Sequence, residues 1–436
     1  MSLKGLLFIG LFSLCSIGAL FAPQLGIYGY VAEYCVGPTR AWWGAPFAAM
    51  GVRFSFTLVL VTAVGMVLQR KKLQFGTLLY GQEKLILIFL GCILFSVLLS
   101  GNISGLYHSV DHPSIKMVKV FIFAFMMTHV ITDIRKIDNL FWVFVSVALF
   151  IGLQAWQAPA SQFVRGRIEG MGGADFSEAN FLAAFMASML PIIGVQFLRS
   201  NLLGKFYCGT AAAFTANTVV LCRSRGAVLA ILIGVIVSLF LSPKKYKKQI
   251  LILLILGSLG GLYVMDEQFI TRGTTITQSG ENRDSSAQSR LRLWRAGAQI
   301  ISDHPLGIGA GNWFKTIGIY LPEYEGESAL DAHNTYVKSA AELGVQGGLF
   351  LLLIIFSAFR QLRRVKQEAL SKLPENTGGD LVLFSFALTV SLTIVLMCGM
   401  TITMLYTELT WLLLFMPICL GRALDNVLMG NKKGSL

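Results

Sequence analysis

In the stretch DAHNTYVKSAAELGVQGG, residues 331–348, a histidine stands at the mouth of an apolar helix in a chain that has only five histidines. A neutral imidazole can take a proton from a hydroxyl near pH 7. Arginines gather in three other stretches. Residues 164–181, VRGRIEGMGGADFSEANF, carry Arg165 and Arg167; residues 222–227, CRSRGA, carry Arg223 and Arg225; and residues 266–331 hold Arg272, Arg283, Arg290, Arg292 and Arg295. Guanidinium groups bind phosphate oxygens in bidentate fashion without losing charge. With His333 beside them, they suggest a site for a phosphorylated donor and a hydroxyl acceptor. Each group also has a plainer reading. Arginines near the ends of membrane spans snorkel to the interface, and a histidine at a helix start can simply be hydrogen-bonded there.

The elements that must position these residues follow from composition. The chain has 436 residues, 55% hydrophobic and 14% charged, too apolar for a soluble protein of this length. Apolar runs recur from end to end, each long enough to cross about 30 Å of hydrocarbon as a helix. The expected fold is all-α: a polytopic integral membrane protein of about twelve transmembrane helices. The spans fall near residues 3–22, 50–69, 84–101, 115–132, 139–156, 178–198, 206–222, 226–242, 249–265, 336–359, 381–401 and 404–421. The first has one lysine before it and no small-residue cleavage site, so it reads as an anchor that stays. Residues 1–436 form a single membrane domain, with a large loop, 266–332, inserted between the ninth and tenth spans.

Lysine and arginine orient spans through short cytoplasmic loops. A cytoplasmic N-terminus puts Arg70, Lys71 and Lys72, the run Lys244, Lys245, Lys247 and Lys248, the cluster Arg360, Arg363, Arg364 and Lys366, and Lys432 and Lys433 on one side. The arginine stretches and His333 then share the opposite, periplasmic face. The net charge of +13 is explained by anionic headgroups and the insertion machinery, so membrane lipids are expected partners and nucleic acid is not. The seven cysteines are scattered without CxxC or metal-type spacing, so neither a disulfide nor a metal site is expected.

Within the large loop, AQSRLRLWRAGAQIISDHP has Gln288, Arg292, Arg295 and Gln299 at helical spacing, and Leu291, Trp294, Ala298 and Ile301 as the other stripe. The pattern predicts an amphipathic helix lying over the bundle, ending at His304-Pro305. The glycines of GIGAGN, Gly307, Gly309 and Gly311, then make a tight turn. A phosphate cradle would call for a preceding strand, so a structural turn is expected. Glu323, Glu325, Glu327 and Asp331 form an acidic cluster, solvated or rimming an acceptor entrance. A transporter or lipid-linked oligosaccharide flippase is the rival reading, but flippases carry charge inside their spans, whereas here the basic residues cluster at one rim.

These motifs together resemble the O-antigen ligase superfamily. His333, ten residues and Gly344 match its HX10G pattern; SRLRLWRAGAQIISDHPLGIGAGNW resembles the arginine, tryptophan, His-Pro and glycine-rich run upstream of it; CRSRGA looks like its Ser-Arg-Gly element. The resemblance implies a membrane glycosyltransferase of the bacterial inner membrane with its active site facing the periplasm. It implies a glycan donor linked to undecaprenyl diphosphate, inversion at the anomeric carbon, and neither metal nor cofactor. It implies that His333 activates the acceptor hydroxyl and that periplasmic arginines bind the diphosphate. By motif those are Arg225 and Arg290, with Arg223, Arg295, Arg165 and Arg167 as further candidates, while helix geometry puts Arg292 and Arg295 on the polar face. Ligation to lipid A core ranks first among its activities, then O-antigen or exopolysaccharide polymerisation, then ligation to a protein acceptor.

Overall fold

The computed structural model describes residues 2–71, 79–101, 112–264, 285–328 and 330–433. Most of the amino-terminal part of the expected large loop, with Arg272 and Arg283, lies outside the described residues. Among those described, regular structure is almost entirely helical. The helices are α1 (Leu3–Phe21), α2 (Pro23–Val36), α3 (Ala45–Ala49), α4 (Phe54–Leu68), α5 (Gly81–Leu99), α6 (Pro113–Val130), α7 (Ile134–Trp156), α8 (Ala179–Arg199), α9 (Leu202–Cys222), α10 (Arg225–Leu241), α11 (Lys247–Val264), α12 (Ser285–Asp303), α13 (Trp313–Tyr320), α14 (Thr335–Lys372), α15 (Glu375–Cys398) and α16 (Glu408–Lys433). A single antiparallel hairpin, β1 (Phe163–Val164) and β2 (Arg167–Ile168), interrupts the pattern.

Each of the twelve expected spans coincides with a helix. Length and apolarity alone qualify eight described helices to cross a membrane: α1, α5, α6, α7, α8, α14, α15 and α16. Helices α10 and α11 pass the same test only as a pair bent by 112°, and α4 is a shorter apolar helix. The count of twelve is therefore not reached on these criteria. In α9 the reason is visible in its own sequence, where Lys205, Thr210, Thr215, Asn217 and Thr218 dilute the apolar run.

The first span runs opposite to the expectation of an N-terminus on the lysine-rich side. Helices α1 and α2 form an antiparallel hairpin, with Gly29 of α2 close against Cys15 and Gly18 of α1 against Leu25. Helix α2 is in turn antiparallel to α4, where Glu33 accepts a hydrogen bond from Ser55. Helices α1 and α4 are thus parallel, and Gln69 Nε2, just past α4, donates to the Leu20 carbonyl at 3.3 Å. The carboxyl end of α1 lies at the Arg70 end of the bundle and its amino end at the other. Helix α2 was not among the expected spans because polar side chains stud its 14 residues. Its three tyrosines find partners: Tyr28 donates to the Lys136 carbonyl at 2.9 Å, Tyr30 to Glu408 at 2.9 Å and Tyr34 to Asp175 at 2.8 Å. Polar groups away from water are tolerated only when paired in this way.

Helices α8, α15 and α16 line the centre, and one continuous apolar core joins them to their neighbours. A separate small core, built from Leu293, Ala296 and Ile300 of α12 with Trp313 and Ile317 of α13, packs on Ala332 and Ala341. The buried stripe of α12 thus differs from the expected one. Leu291 and Ala298 are exposed, and Leu293, Ala296, Gly297 and Ile300 face inward. The choice between adjacent stripes was settled by the packing partner, since Gly297 lets Val337 and Trp313 approach closely.

Candidate active site

His333 is held from three sides. Trp294 of α12 donates its indole N–H to the Ala332 carbonyl at 3.0 Å, and Trp313 of α13 donates to the Leu330 carbonyl at 2.9 Å. On the other flank Asn334 caps α14, its side chain accepting from the N–H groups of Tyr336 and Val337 at 2.9 and 3.0 Å. Thr335 N donates to the Gly399 carbonyl at 2.8 Å, and Thr335 Oγ1 donates to the Ile402 carbonyl at 3.0 Å. The helix-start role is therefore taken by Asn334, and the His333 ring makes no hydrogen bond with any described residue. Its backbone sits at φ 48°, in the left-handed region. A side chain there costs about 1–2 kcal/mol, which rigid neighbours must impose.

Helix α14 breaks at Gly344, where φ is 78° and ψ 176°. The glycine-rich turn enters this break: Ile308 N donates to the Ala341 carbonyl at 3.0 Å, Gly309 N to that of Glu342 at 2.9 Å, and Val345 N to that of Pro305 at 2.9 Å. The turn replaces bonds that an unbroken helix would make internally, and so it is structural. Glu342 completes the joint, accepting from Trp313 N at 3.1 Å and from the Tyr406 hydroxyl at 2.5 Å.

The arginines divide into groups. Arg165 and Gly166 form the two-residue turn of the β1–β2 hairpin, both at positive φ, the conformation such hairpin turns require. Arg165 itself is exposed. Arg167 donates from Nε to the Cys222 carbonyl at 2.9 Å and from Nη2 to Asn180 at 2.6 Å, while Ser224 donates to the same Asn180 oxygen at 2.9 Å. Arg223, at φ 47°, ends α9 and donates to the Gly166 carbonyl. Hairpin and α9–α10 corner are thereby clamped together. Arg225 begins α10 beside Gly226, which lies against Thr401 of the same 399–402 segment that supports Thr335.

Arg290 projects from the inner face of α12. Its pKa is held below the usual arginine value by burial and then by the charges of Arg225 and Arg167. Its Nε is buried without a hydrogen-bond partner among the described residues. The Arg225 and Arg167 charges thus lie close enough to act on Arg290. Arg295 is not brought to this cluster; it is exposed on the outward face of α12. Arg292 pairs with Glu323 and lies over the Tyr324 ring, 5.9 Å from its centroid, so Glu323 is not a merely solvated carboxylate.

The imidazole of His333 has its pKa lowered from 6.5, by burial first, then by Arg290, with Asp331 opposing and Lys338 adding to the effect. A neutral ring that accepts a proton is the consequence. Arg165, Arg223 and His333 are the three non-glycine residues with positive φ among those described, and all three are candidate site residues.

Residues 210–352 match the family model described as O-antigen ligase. Over this segment the chain is similar to that family. No curated protein matches the chain. The matched segment runs from mid-α9 into α14 and holds Arg223, Arg225, Arg290, Arg295, His333 and Gly344; Arg165 and Arg167 lie before it. Asn180 and Ser224, the node joining Arg167 to the α9–α10 corner, escaped sequence reasoning although both sit inside the quoted motifs. Uncharged residues give no signal until their partners are known. Among the described residues no three His, Cys, Asp or Glu side chains are grouped to hold a metal ion.

Proposed function

We propose that this protein is a member of the O-antigen ligase superfamily that transfers a glycan from undecaprenyl diphosphate to an acceptor hydroxyl at the periplasmic face of the inner membrane, with lipid A core as the acceptor. In this reading His333 takes the acceptor proton while the oxygen attacks the anomeric carbon from the face opposite the leaving group. The carbon–oxygen bond to the diphosphate breaks in the same displacement, which inverts the centre. The electron pair passes to diphosphate oxygens held by Arg225 and Arg290, which do the work a divalent cation would do elsewhere. Arg167 and Arg223 hold the backbone around them.

The observation that carries this reading is the His333 ring, strained in backbone, free of hydrogen bonds and next to the crowded Arg290. A structural histidine would be expected to bond something. The basic residues collected at the opposite end of the bundle, among them Arg70, Lys71, Lys244 and Lys245, support the periplasmic assignment of the site.

The test is transfer from undecaprenyl-diphosphate glycan to rough lipopolysaccharide by the purified full-length protein. Arg225→Ala and Arg290→Ala should weaken donor binding and abolish transfer at unchanged protein levels, and lysine at either position should rescue only in part because it lacks the planar fork. Wild-type transfer by both alanine variants would remove the arginines from the mechanism.

A further inference from the structure

A polar cavity lies near His333: its wall includes Asp331 and Lys338, whose charges both act on the His333 ring. Its volume is about 250 Å³, and its wall includes Lys116, Asp175, Glu178, Asp331, Lys338 and Thr403. Five segments meet there: the first turn of α6, the turn before α8, the strand-like 330–334 segment, the first turn of α14 and the 399–407 connection. The volume falls short of the about 300–1,000 Å³ of pockets that enclose whole drug-sized ligands, so a single ring would fill it.

The charges of this cavity differ from those of the Arg290, Arg225 and Arg167 group. Lys116 pairs with Asp175 at 2.5 Å, and Lys338 pairs with Asp331 at 2.7 Å. Both lysines are thereby neutralised. The Glu178 carboxylate has no hydrogen bond or ion pair among the described residues, and its pKa is raised by burial, then by Glu169 and Asp331, with the Arg167 charge opposing. Two lysines stand against three carboxylates, leaving an excess of negative charge, so an anion is disfavoured. Thr403 is only 8% exposed, and its buried hydroxyl has no partner among the described residues. A buried unsatisfied hydroxyl lining a cavity is poised for a ligand that brings its own hydrogen bonds. Phe181 and Tyr406 add apolar surface to the wall. Carboxylates, a free hydroxyl and aromatic rings suit a neutral polyhydroxylated ring.

We propose that this cavity is the acceptor subsite and that it receives one uncharged sugar residue, with the arginine cluster taking the anionic donor. The inference rests on the transferase reading given above. It adds that the two substrates are sorted by charge: Arg290 and Asp331 both act on the imidazole ring, with opposite sign. A phosphate or carboxylate on the acceptor sugar would meet Glu178 and be rejected.

The experiment uses the full-length protein in lipid nanodiscs with two acceptors: rough lipopolysaccharide ending in a neutral hexose, and the same molecule with that hexose phosphorylated. Thr403→Val, nearly isosteric, should raise the KM for the neutral acceptor about three- to tenfold, the net worth of one hydrogen bond, without changing the KM for donor. Glu178→Gln should leave donor KM unchanged and improve the ratio of phosphorylated to neutral acceptor used. Absence of any transfer by the wild-type protein sinks the transferase reading and the subsite with it. Normal wild-type transfer with unchanged acceptor KM in Thr403→Val and an unchanged acceptor ratio in Glu178→Gln sinks the subsite alone.

Discussion

A methyl group on Gly344 would stand 2.6 Å from the Leu306 carbonyl oxygen, well inside van der Waals contact, at a backbone φ of 78°. The distance explains why a glycine ends the His333 motif: the helix must break there to receive the 305–309 turn, whose bonds to Ala341 and Glu342 replace those of the helix.

Gly344→Ala therefore combines a left-handed alanine with a backbone clash. It should cost roughly 2 kcal/mol or more from the positive φ and overpacking together, and lower transfer although residue 344 touches no substrate. Melting temperature in detergent, followed by transfer rate, would check it; an unshifted melting temperature contradicts the joint.

Strain at His333 makes activity and stability pull in opposite directions. His333→Gly relieves the backbone and should raise the melting temperature, by about 1 kcal/mol of stability at most, while transfer falls by about 10² to 10⁴ as for loss of a positioned base. His333→Ala should lose the same activity and gain no stability. If both variants transfer at the wild-type rate, the base is another group.

Acidity offers an independent readout. Burial and the Arg290 charge hold the His333 pKa below its ordinary 6.5, so the neutral base is present at neutral pH and is lost as pH falls through that lowered value. At saturating donor, the acid limb of kcat/KM for acceptor should lie below pH 6.5 in the wild type. Arg290→Gln removes one charge that disfavours the imidazolium, so the limb should shift to higher pH. A limb that stays put in the variant means that Arg290 does not face the base.

Helix α1 supplies a test of direction. Because α1 and α4 are parallel, Ser2 should be reached by an impermeant thiol reagent from the side that reaches Arg295, and Lys245 from the opposite side, when each is replaced singly by cysteine. Labelling of Ser2→Cys together with Lys245→Cys would restore the opposite direction for the first helix.

Much of the helical scaffold was legible before any coordinates, because hydropathy is a local property: an apolar run of sufficient length specifies a buried helix whatever surrounds it. The twelve runs were readable in this way, and Gly344 as the end of the His333 motif from its spacing, but not that α14 breaks there. The polarity of α1 was not, since a single Lys4 gives a weak orienting bias. Nor was α2, whose Tyr28, Tyr30, Glu33 and Tyr34 read as loop until residues 22 to 378 positions away in the chain supplied their hydrogen bonds. The same holds among the arginines. Residue types alone leave α12 two candidate stripes, but only the packing of Gly297 against Val337 and Trp313 turns Arg290 inward and leaves Arg295 in the open. The cavity near His333 depends on tertiary structure altogether, because Lys116, Asp175, Glu178, Lys338 and Thr403 come from separate segments, and electrostatic fields add by distance in space, not along the chain.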